Sequence, residues 1–348
     1  MKIGILTFHD GLNHGAYLQA YATMRIIEQM GHKPIIINYK NREHWLQENV
    51  KPWMIYRRPI RFLDHIGKHR AFSRDRGKLN MTAYTRKPSK ILSMNFDAVV
   101  VGSDVVWNYK VFGFDPLYFG KLPARLKIAY APSFGWTNYG ESIPDEVASG
   151  LKSFHHISAR DINTAKIVES VTGKSPKLVL DPTLIHDFED DELVTERIIN
   201  LGKYALVYCY VSDPLAVRSI TDFAKSRKLK LVSVGYRQPW CDKNLMDVGP
   251  MEWLNCFRYA DHVVTSTFHG MIFSLKYQKT ITYIHNDKAQ NRIISLASAT
   301  GINELAGTNG QPVVQIKPNY SDVDSRLKPL IESSRVWLRH AINTQNPG

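Results

Sequence analysis

The N-terminal part of the chain alternates between strand and helix patterns, and this alternation restricts the fold more than any other feature. An apolar run over Lys2–Phe8 predicts a buried strand, and a polar loop with two glycines follows it. Ala16–Met30 then predicts a helix that ends at Gly31, and Lys33–Asn38 predicts a second strand. Such a β-α-β unit favours a parallel sheet covered by helices.

The same alternation continues in two series along the chain. In the first series, short apolar stretches predict further strands at 98–101, 127–131, 157–160 and 178–180. In the second, strands are predicted at 204–211, 229–234, 262–265 and 280–283, with helices at 214–227 and 252–259. An acidic run and a short helix near Phe188–Gly202 separate the two series. We therefore expect an α/β chain with two Rossmann-like domains facing across a cleft, over residues 1–195 and 196–348, the second ending in a helix.

The composition supports two folded domains. With 348 residues, 44% of them hydrophobic and 22% charged, the chain can build two cores, and it does not have the composition of a disordered protein. Its apolar runs are far shorter than the roughly 20 residues that span a bilayer. The strand pattern begins at Lys2 without the features of a signal peptide. We expect a cytoplasmic protein.

Neither a metal nor a resident cofactor is indicated. The cysteines, Cys209, Cys241 and Cys256, are odd in number and lack Cys-x-x-Cys spacing, which argues against a disulfide framework and a zinc site. Neither half contains a Gly-x-Gly-x-x-Gly or P-loop lysine motif, so a bound dinucleotide or an ATP-driven step has no support.

The positive charge of the chain is concentrated in one segment. The formal charge is +13, and Lys51–Lys90 carries 12 Lys or Arg against Asp64 and Asp75, a local charge of +10. This stretch belongs to a helical excursion over about 43–95, in which apolar residues are interleaved with the basic ones. The mixture suits an amphipathic helix on an anionic membrane surface. Nucleic acid is a weaker alternative, and a solvated basic face without a partner is another.

The stretch 262–275 carries the strongest functional signal from the residues themselves. Its β-branched run breaks at Ser266 and Thr267, and a helix pattern begins just after Gly270. His269 therefore lies at a helix N-terminus, where backbone N–H groups and the helix dipole favour a phosphate or carboxylate beside an imidazole that can transfer a proton. The alternative is a buried structural histidine behind an N-cap.

Other polar residues follow predicted strands of the first domain. Ser103 and Asp104 form a strand-end turn, where Ser103 could hold a ligand and Asp104 could act as base toward an acceptor; a turn cap is the alternative. Asn13 and His14 precede a helix at the first strand-helix turn, the end that faces the ligand in such folds. Trp107 lies on a loop where its ring could stack on a sugar, although packing between elements is the commoner use.

Several segments, in this order and spacing, resemble those of a known family. They are 13–22, 101–108, 129–135, 157–161, 179–184 and 265–270. On these segments the chain resembles the polysaccharide pyruvyl transferase family over nearly its whole length. The resemblance implies a glycosyltransferase-B-like fold and transfer of a pyruvyl group from phosphoenolpyruvate to a sugar hydroxyl. The acceptor would be a cell-surface polysaccharide or its lipid-linked precursor, and no further cofactor is implied.

The resemblance also implies roles for individual residues. The functional histidine of the family falls on His269, and an arginine that contacts the donor falls on Arg160, for which a structural pair with Asp161 or Asp181 is the alternative. A second arginine of the family matches Arg292. The remaining donor-side residues are those of the turn around the histidine, namely Ser266, Thr267, Phe268 and Gly270. The first domain would then bind the acceptor and the second the donor.

One position departs from the family pattern. Well-studied members have an arginine two residues before the histidine, and this chain has Thr267 there. Losing a charge-assisted contact of roughly 1.5–3 kcal/mol weakens donor binding unless Lys288 or Arg292 compensates. Two alternative functions remain open at this point: a metal-independent glycosyltransferase that uses a nucleotide sugar, and a non-catalytic module that binds an anionic polymer or membrane.

Overall fold

The chain forms two compact units, each with its own sheet. The computed structural model describes residues 1–50, 59–189, 191, 195–305 and 313–344. The first unit comprises Met1–Ile55, Gly77–His186 and Lys328–Gly348, and the second comprises Tyr56–Arg76 and Asp187–Leu327. Each unit contains a sheet of six strands within the described ranges.

The strands and helices follow one another in an α/β order. The strands are β1 (Lys2–Leu6), β2 (Lys33–Ile36), β3 (Phe96–Val101), β4 (Ala124–Ala129), β5 (His156–Ala159), β6 (Lys177–Leu178), β7 (Tyr204–Tyr208), β8 (Lys230–Val234), β9 (Lys243–Leu245), β10 (His262–Thr265), β11 (Thr280–Ile284) and β12 (Val313–Ile316). The helices are α1 (His14–Gln29), α2 (Arg42–Asn49), α3 (Pro59–Arg76), α4 (Pro88–Leu92), α5 (Tyr109–Phe112), α6 (Asp145–Lys152), α7 (Ile162–Thr172), α8 (Pro182–Ile185), α9 (Glu196–Ile199), α10 (Pro214–Ser226), α11 (Pro250–Arg258), α12 (Phe268–Lys276), α13 (Gln290–Thr300) and α14 (Tyr320–Asn343). A short 3-10 helix covers Asn303–Leu305.

The first sheet is parallel throughout its described strands, in the order β2-β1-β3-β4-β5-β6. Its central strands are apolar on both faces because helices cover both: Ile3, Ile5, Val99 and Val100 are fully buried. The strand order reverses between β1 and β3, so the loops that follow these two strands flank the switch point, where ligands bind in open α/β sheets.

The second sheet has the order β12-β11-β10-β7-β8-β9, with β12 antiparallel to β11 and the other pairs parallel. Its core includes Val207, Ile220 and Val264. The strand order reverses between β7 and β10. The turn after β10, which carries the strongest signal in the sequence, therefore lies at the switch point of this sheet.

The units divide the chain differently from the expected boundary near residue 195. Helix α3, from the basic excursion, belongs to the second unit because its acidic residues bind there: Asp64 accepts from Arg237 Nε at 2.6 Å, and Asp75 accepts from the Met251 amide at 2.9 Å. The end of α14 belongs to the first unit, where the Ser334 hydroxyl accepts from the Leu180 amide at 3.0 Å.

No helix within the described residues has the length and apolarity that a membrane crossing requires.

Candidate functional site

The predicted residues of the first unit gather at the carboxyl edge of its sheet. Ser103 and Asp104 follow β3, Arg160 follows β5, and Asp181 follows β6; because these strands are parallel, their ends meet at one edge. The turn after β3 requires Gly102, whose φ is +107° and on which a Cβ would lie 2.3 Å from the Tyr130 carbonyl oxygen. Asp104 is held there with φ at +73°.

Arg160 forms the centre of a buried ion cluster at this edge. Its Nη1 lies 2.6 Å from Asp181 Oδ2, and its Nη2 lies 3.5 Å from Asp104 Oδ1. The same Nη1 lies 3.4 Å from Ser103 Oγ, and the Arg160 side chain is only 1% exposed. Burial lowers the pKa of Arg160, but the carboxylates of Asp181 and Asp104 outweigh burial and raise the pKa above its usual value. The guanidinium therefore stays charged.

This geometry favours the structural alternative that the sequence left open for Arg160. Its partner is Asp181, whereas Asp161 caps α7 by accepting from the Thr164 amide at 2.7 Å. The Arg160 guanidinium is buried between two carboxylates, where it contacts Asp104 and is shielded from an anionic ligand in solution.

The remaining predicted residues of the first unit have separate surroundings. Asn13 is exposed and caps α1 by accepting from the Ala16 amide at 3.2 Å. His14, the first residue of α1, is buried at 1% exposure. Trp107 is fully buried, and its Nε1 donates to the Tyr118 carbonyl at 2.9 Å. This corrects the expectation that its ring stacks on a sugar: the indole packs in the core with its only polar atom satisfied by the backbone.

A polar chain that sequence reasoning missed joins the two loops of the first switch point. The Thr7 hydroxyl donates to the Ser103 carbonyl at 3.0 Å, and Gln19 Nε2 donates to the Thr7 hydroxyl at 2.9 Å. All three side chains are buried. The available signal was a glutamine in a helix whose other buried residues are mostly apolar.

The turn of the second unit has the predicted strand-turn-helix form. β10 covers His262–Thr265 as predicted, whereas α12 begins at Phe268, earlier than the predicted start just after Gly270, because the Thr267 hydroxyl caps it. The Thr267 hydroxyl caps α12 by accepting from the Gly270 amide at 3.0 Å, while the Thr265 hydroxyl accepts from the Thr267 amide at 3.1 Å. A Cβ on Gly270 would lie 2.1 Å from Thr265 Oγ1 and 2.6 Å from Thr267 Oγ1, so the close approach of the two hydroxyls requires glycine.

His269 lies in the first turn of α12 with the predicted residues around it. It is 8% exposed, and its ring lies 5.5 Å from the Phe268 ring. The Arg292 guanidinium lies 5.5 Å from the centre of the same Phe268 ring. Arg292 Nη2 also donates to the Lys288 carbonyl at 2.6 Å. The structure thus brings His269, Phe268 and Arg292 together.

Asn286 also contacts this turn, although the sequence alone did not predict it as a site residue. Its Nδ2 donates to the Ser266 carbonyl at 3.1 Å and so joins the loop after β11 to the turn after β10. Its position two residues beyond an apolar strand was the available signal. Thr267 is occupied in capping, and a cationic side chain, that of Arg292 in α13, lies over Phe268 of the motif.

No group of three or more His, Cys, Asp or Glu residues in the described ranges is arranged to hold a metal ion. The chemistry available at these turns is that of hydroxyls, backbone amides, an imidazole, a carboxylate and guanidinium groups.

The sequence was compared with models of known protein families, and one model matches most of the chain. The model for polysaccharide pyruvyl transferase matches residues 13–287, which include both turns. The chain belongs to this family. It is therefore a transferase, and the family implies a glycan as acceptor.

Solved structures support the fold. UDP-GlcNAc 2-epimerase from Neisseria meningitidis, bound to UDP-GlcNAc, has 11% identity and a TM-score of 0.51, with coverage of 100% of this chain and 95% of that one. The epimerase from Methanocaldococcus jannaschii has 12% identity and a TM-score of 0.50, with coverage of 96% and 94%. These likenesses confirm the predicted two-domain, Rossmann-like, glycosyltransferase-B-like class. No curated protein matches the sequence significantly.

Proposed function

We propose that the protein transfers the pyruvyl group of phosphoenolpyruvate to hydroxyls of a cell-surface polysaccharide or its lipid-linked precursor. The observation that carries this proposal is the position of His269 in the first turn of α12, beside the Phe268–Arg292 pair and within the family match. This turn offers a proton-transfer group and anion-binding groups together, and the donor requires both.

In the proposed reaction, two acceptor hydroxyls form bonds to the same carbon of phosphoenolpyruvate. A proton goes to the methylene carbon of phosphoenolpyruvate, which becomes a methyl group, and one acceptor hydroxyl adds to the neighbouring carbon. The bond from that carbon to the phosphate oxygen then breaks, and a second acceptor hydroxyl closes the ketal. The two hydroxyls lose two protons in total; the methylene carbon gains one proton, and the released phosphate takes the other. His269 is assigned the proton transfer at the donor.

The donor groups are assigned to the turn of the second unit. The positive end of the α12 dipole and the guanidinium of Arg292 provide the positive potential for the carboxylate and phosphate. Ser266 and Thr267 line the turn, and Arg292 takes over the charge that the family arginine supplies at position 267. Phe268 supports Arg292 through the face of its ring.

The acceptor groups are assigned to the first unit. Asp104 is the proposed base for an acceptor hydroxyl, and Arg160 holds it through the ion pair of 3.5 Å. Ser103 anchors the same turn by donating to the Ala131 carbonyl at 3.0 Å. Asn13 and His14 begin α1, the helix whose Gln19 connects to Ser103 through Thr7.

The function is tested by incubating the protein with phosphoenolpyruvate and a panel of glycans. We expect phosphate release that depends on the acceptor and a glycan product that carries a pyruvate ketal, detected by mass spectrometry. A parallel panel of nucleotide sugars serves as the opposing arm. Glycosyl transfer from one of them, with no binding of phosphoenolpyruvate by calorimetry, would replace this proposal with a glycosyltransferase.

Thr267 provides a separate test of the donor assignment. Thr267→Arg removes the hydroxyl that caps α12, which costs about 1 kcal/mol of unfolding free energy. If phosphoenolpyruvate is the donor, the added guanidinium strengthens its binding despite this loss. Thr267→Ser keeps the cap and is the matched control for stability. Urea unfolding and calorimetry measure the two effects separately; weaker phosphoenolpyruvate binding by a folded Thr267→Arg variant would contradict the assignment.

We also propose that helix α3 attaches the enzyme to an anionic membrane that presents a lipid-linked acceptor. Its N-terminal half exposes Ile60, Phe62 and Leu63 at 48%, 39% and 65%. The two acidic residues of α3, Asp64 and Asp75, bind partners in the second unit. The exposed side of the helix therefore carries cations such as Arg61 and Arg70. Arg57 and Arg58 of the same basic segment lie outside the described residues.

The membrane proposal is tested by sedimentation with anionic vesicles at low salt. Each basic residue near such a surface contributes about 1 kcal/mol. Arg61→Glu with Arg70→Glu is therefore expected to lower vesicle binding at least tenfold while activity on a short soluble acceptor is kept. Arg218→Glu with Lys225→Glu, an equal change of charge on α10, is the control. Equal binding by the two double variants would show that α3 is not the attachment site.

A further inference from the structure

A cavity of about 400 Å³ lies in the second unit, at the edge of the sheet opposite the turn after β10 that leads to His269, which we call the candidate turn. Lys203 precedes β7, Leu229 precedes β8 and Asp261 precedes β10, so all three lie at the amino edge of these parallel strands. Lys317 follows β12, which is antiparallel and therefore ends at the same edge. We call this cavity the basal pocket; its volume lies within the range of small-molecule sites.

The mouth of the basal pocket is basic. Lys203, Arg227 and Lys317 line it and are exposed, against the single carboxylate of Asp261. Asp261 is partly committed to the fold, since its Oδ2 accepts from the Tyr204 amide at 3.0 Å. Excess positive charge around a concave surface favours an anion, and the planar guanidinium of Arg227 suits phosphate oxygens.

The floor of the basal pocket is polar and neutral. His262 lies there with its two ring nitrogens 2.7 Å from the hydroxyls of Thr280 and Thr282. Burial and then the nearby Arg227 lower the pKa of His262 to about 4, so its imidazole carries no charge at neutral pH. The ring of Phe223 lies 4.4 Å from the imidazole and adds an aromatic wall. The floor thus suits the uncharged part of a ligand.

We propose that the basal pocket binds a small phosphate monoester, with its phosphate at the mouth and a polyhydroxy part on the neutral floor. The hydroxyl of Thr280 and the amide of Gln315, both in the lining, can pair with such hydroxyls. The pocket is separate from the candidate turn: His262 and Thr265 are the two ends of β10, whose length is roughly 10–13 Å at 3.3 Å per residue. This inference does not depend on the proposed donor.

Calorimetry with glucose 1-phosphate and with inorganic phosphate tests the basal pocket. We expect glucose 1-phosphate to bind, with at least tenfold weaker binding in Arg227→Ala with Lys317→Ala. Stronger binding of the sugar phosphate than of inorganic phosphate would show that the floor takes part, whereas equal affinities would reduce the site to one for free phosphate and overturn the monoester. Arg218→Ala with Lys225→Ala, which removes equal charge from α10, should bind as the wild type does.

Two further variants keep the result interpretable. Lys203→Ala changes one exposed side chain, and it should weaken binding even if the double variant proves unstable in thermal unfolding. Arg292→Ala alters only the candidate turn, so it should leave glucose 1-phosphate binding unchanged. Binding that Arg292→Ala abolishes and the basal variants do not affect, or no binding of either probe, would overturn the proposal. The turnover number with phosphoenolpyruvate, which depends on the candidate turn, should be the same in the basal variants, which separates this outcome from failure of the proposed function.

Discussion

His269→Ala is expected to lower turnover at least a hundredfold while the protein remains folded. General acid–base catalysis contributes typically ~10²–10⁴ in rate, and His269 is the proton-transfer group assigned to the donor. The fold should tolerate the change because the turn is capped by Thr267 and not by the imidazole, and because alanine favours a helix. The measurement is kcat on phosphoenolpyruvate and the true acceptor, with circular dichroism and urea unfolding as checks on the fold.

A neighbouring histidine provides the control for this prediction. His285 follows β11 and lies 2.8 Å from Asp287 on the polar loop whose Asn286 joins the turn. His285→Ala should leave kcat within a few-fold of the wild type. His269→Gln should be as impaired as His269→Ala, because its amide keeps a polar group but cannot exchange a proton near neutral pH. Wild-type turnover in a folded His269→Ala variant would show that the histidine is structural.

The strand-turn-helix around His269 could be predicted because every signal for it is local. A β-branched run, a capping hydroxyl and a glycine lie within a few residues of one another, and the structure has the strand at His262–Thr265 as expected. The parallel sheets were predictable for the same reason. β9 was missed because its Lys-Asn-Leu sequence has no apolar run, and its strand form depends on pairing with β8.

Contacts distant in sequence were not predictable in the same way. The basic pattern of α3 indicates an amphipathic helix, but only the pairing of Asp64 with Arg237 shows in which unit the helix packs. The sequence offered Asp161 and Asp181 as possible partners of Arg160. Arg160 pairs with Asp181 because β5 and β6 are adjacent strands, which the sequence did not show. For Trp107 the sequence left stacking on a sugar and packing between elements open, because a loop position does not reveal burial.

Arg160→Met is expected to destabilise the first unit by about 3–5 kcal/mol, the usual cost of removing one partner from a buried ion pair. Methionine fills much of the space of the arginine stem but leaves the fully buried Asp181 carboxylate without the cation at 2.6 Å. Thr183 still donates to Asp181 Oδ1 through its amide at 3.0 Å, so the carboxylate keeps part of its support. Urea unfolding compares the variant with the wild type.

The double variant Arg160→Met with Asp181→Asn distinguishes loss of charge balance from loss of packing. Replacing the carboxylate with a neutral amide removes the uncompensated charge, so the double variant should be more stable than Arg160→Met alone. Catalysis should remain impaired in both, because Asp104 loses the guanidinium 3.5 Å away that holds it. Arg160→Lys should recover part of the stability, since it restores a cation but not the two-sided contact. If Arg160→Met unfolds at the wild-type urea concentration and only donor affinity falls, Arg160 acts as the donor contact that the family resemblance implies, and the ion pair is not what holds this edge of the sheet.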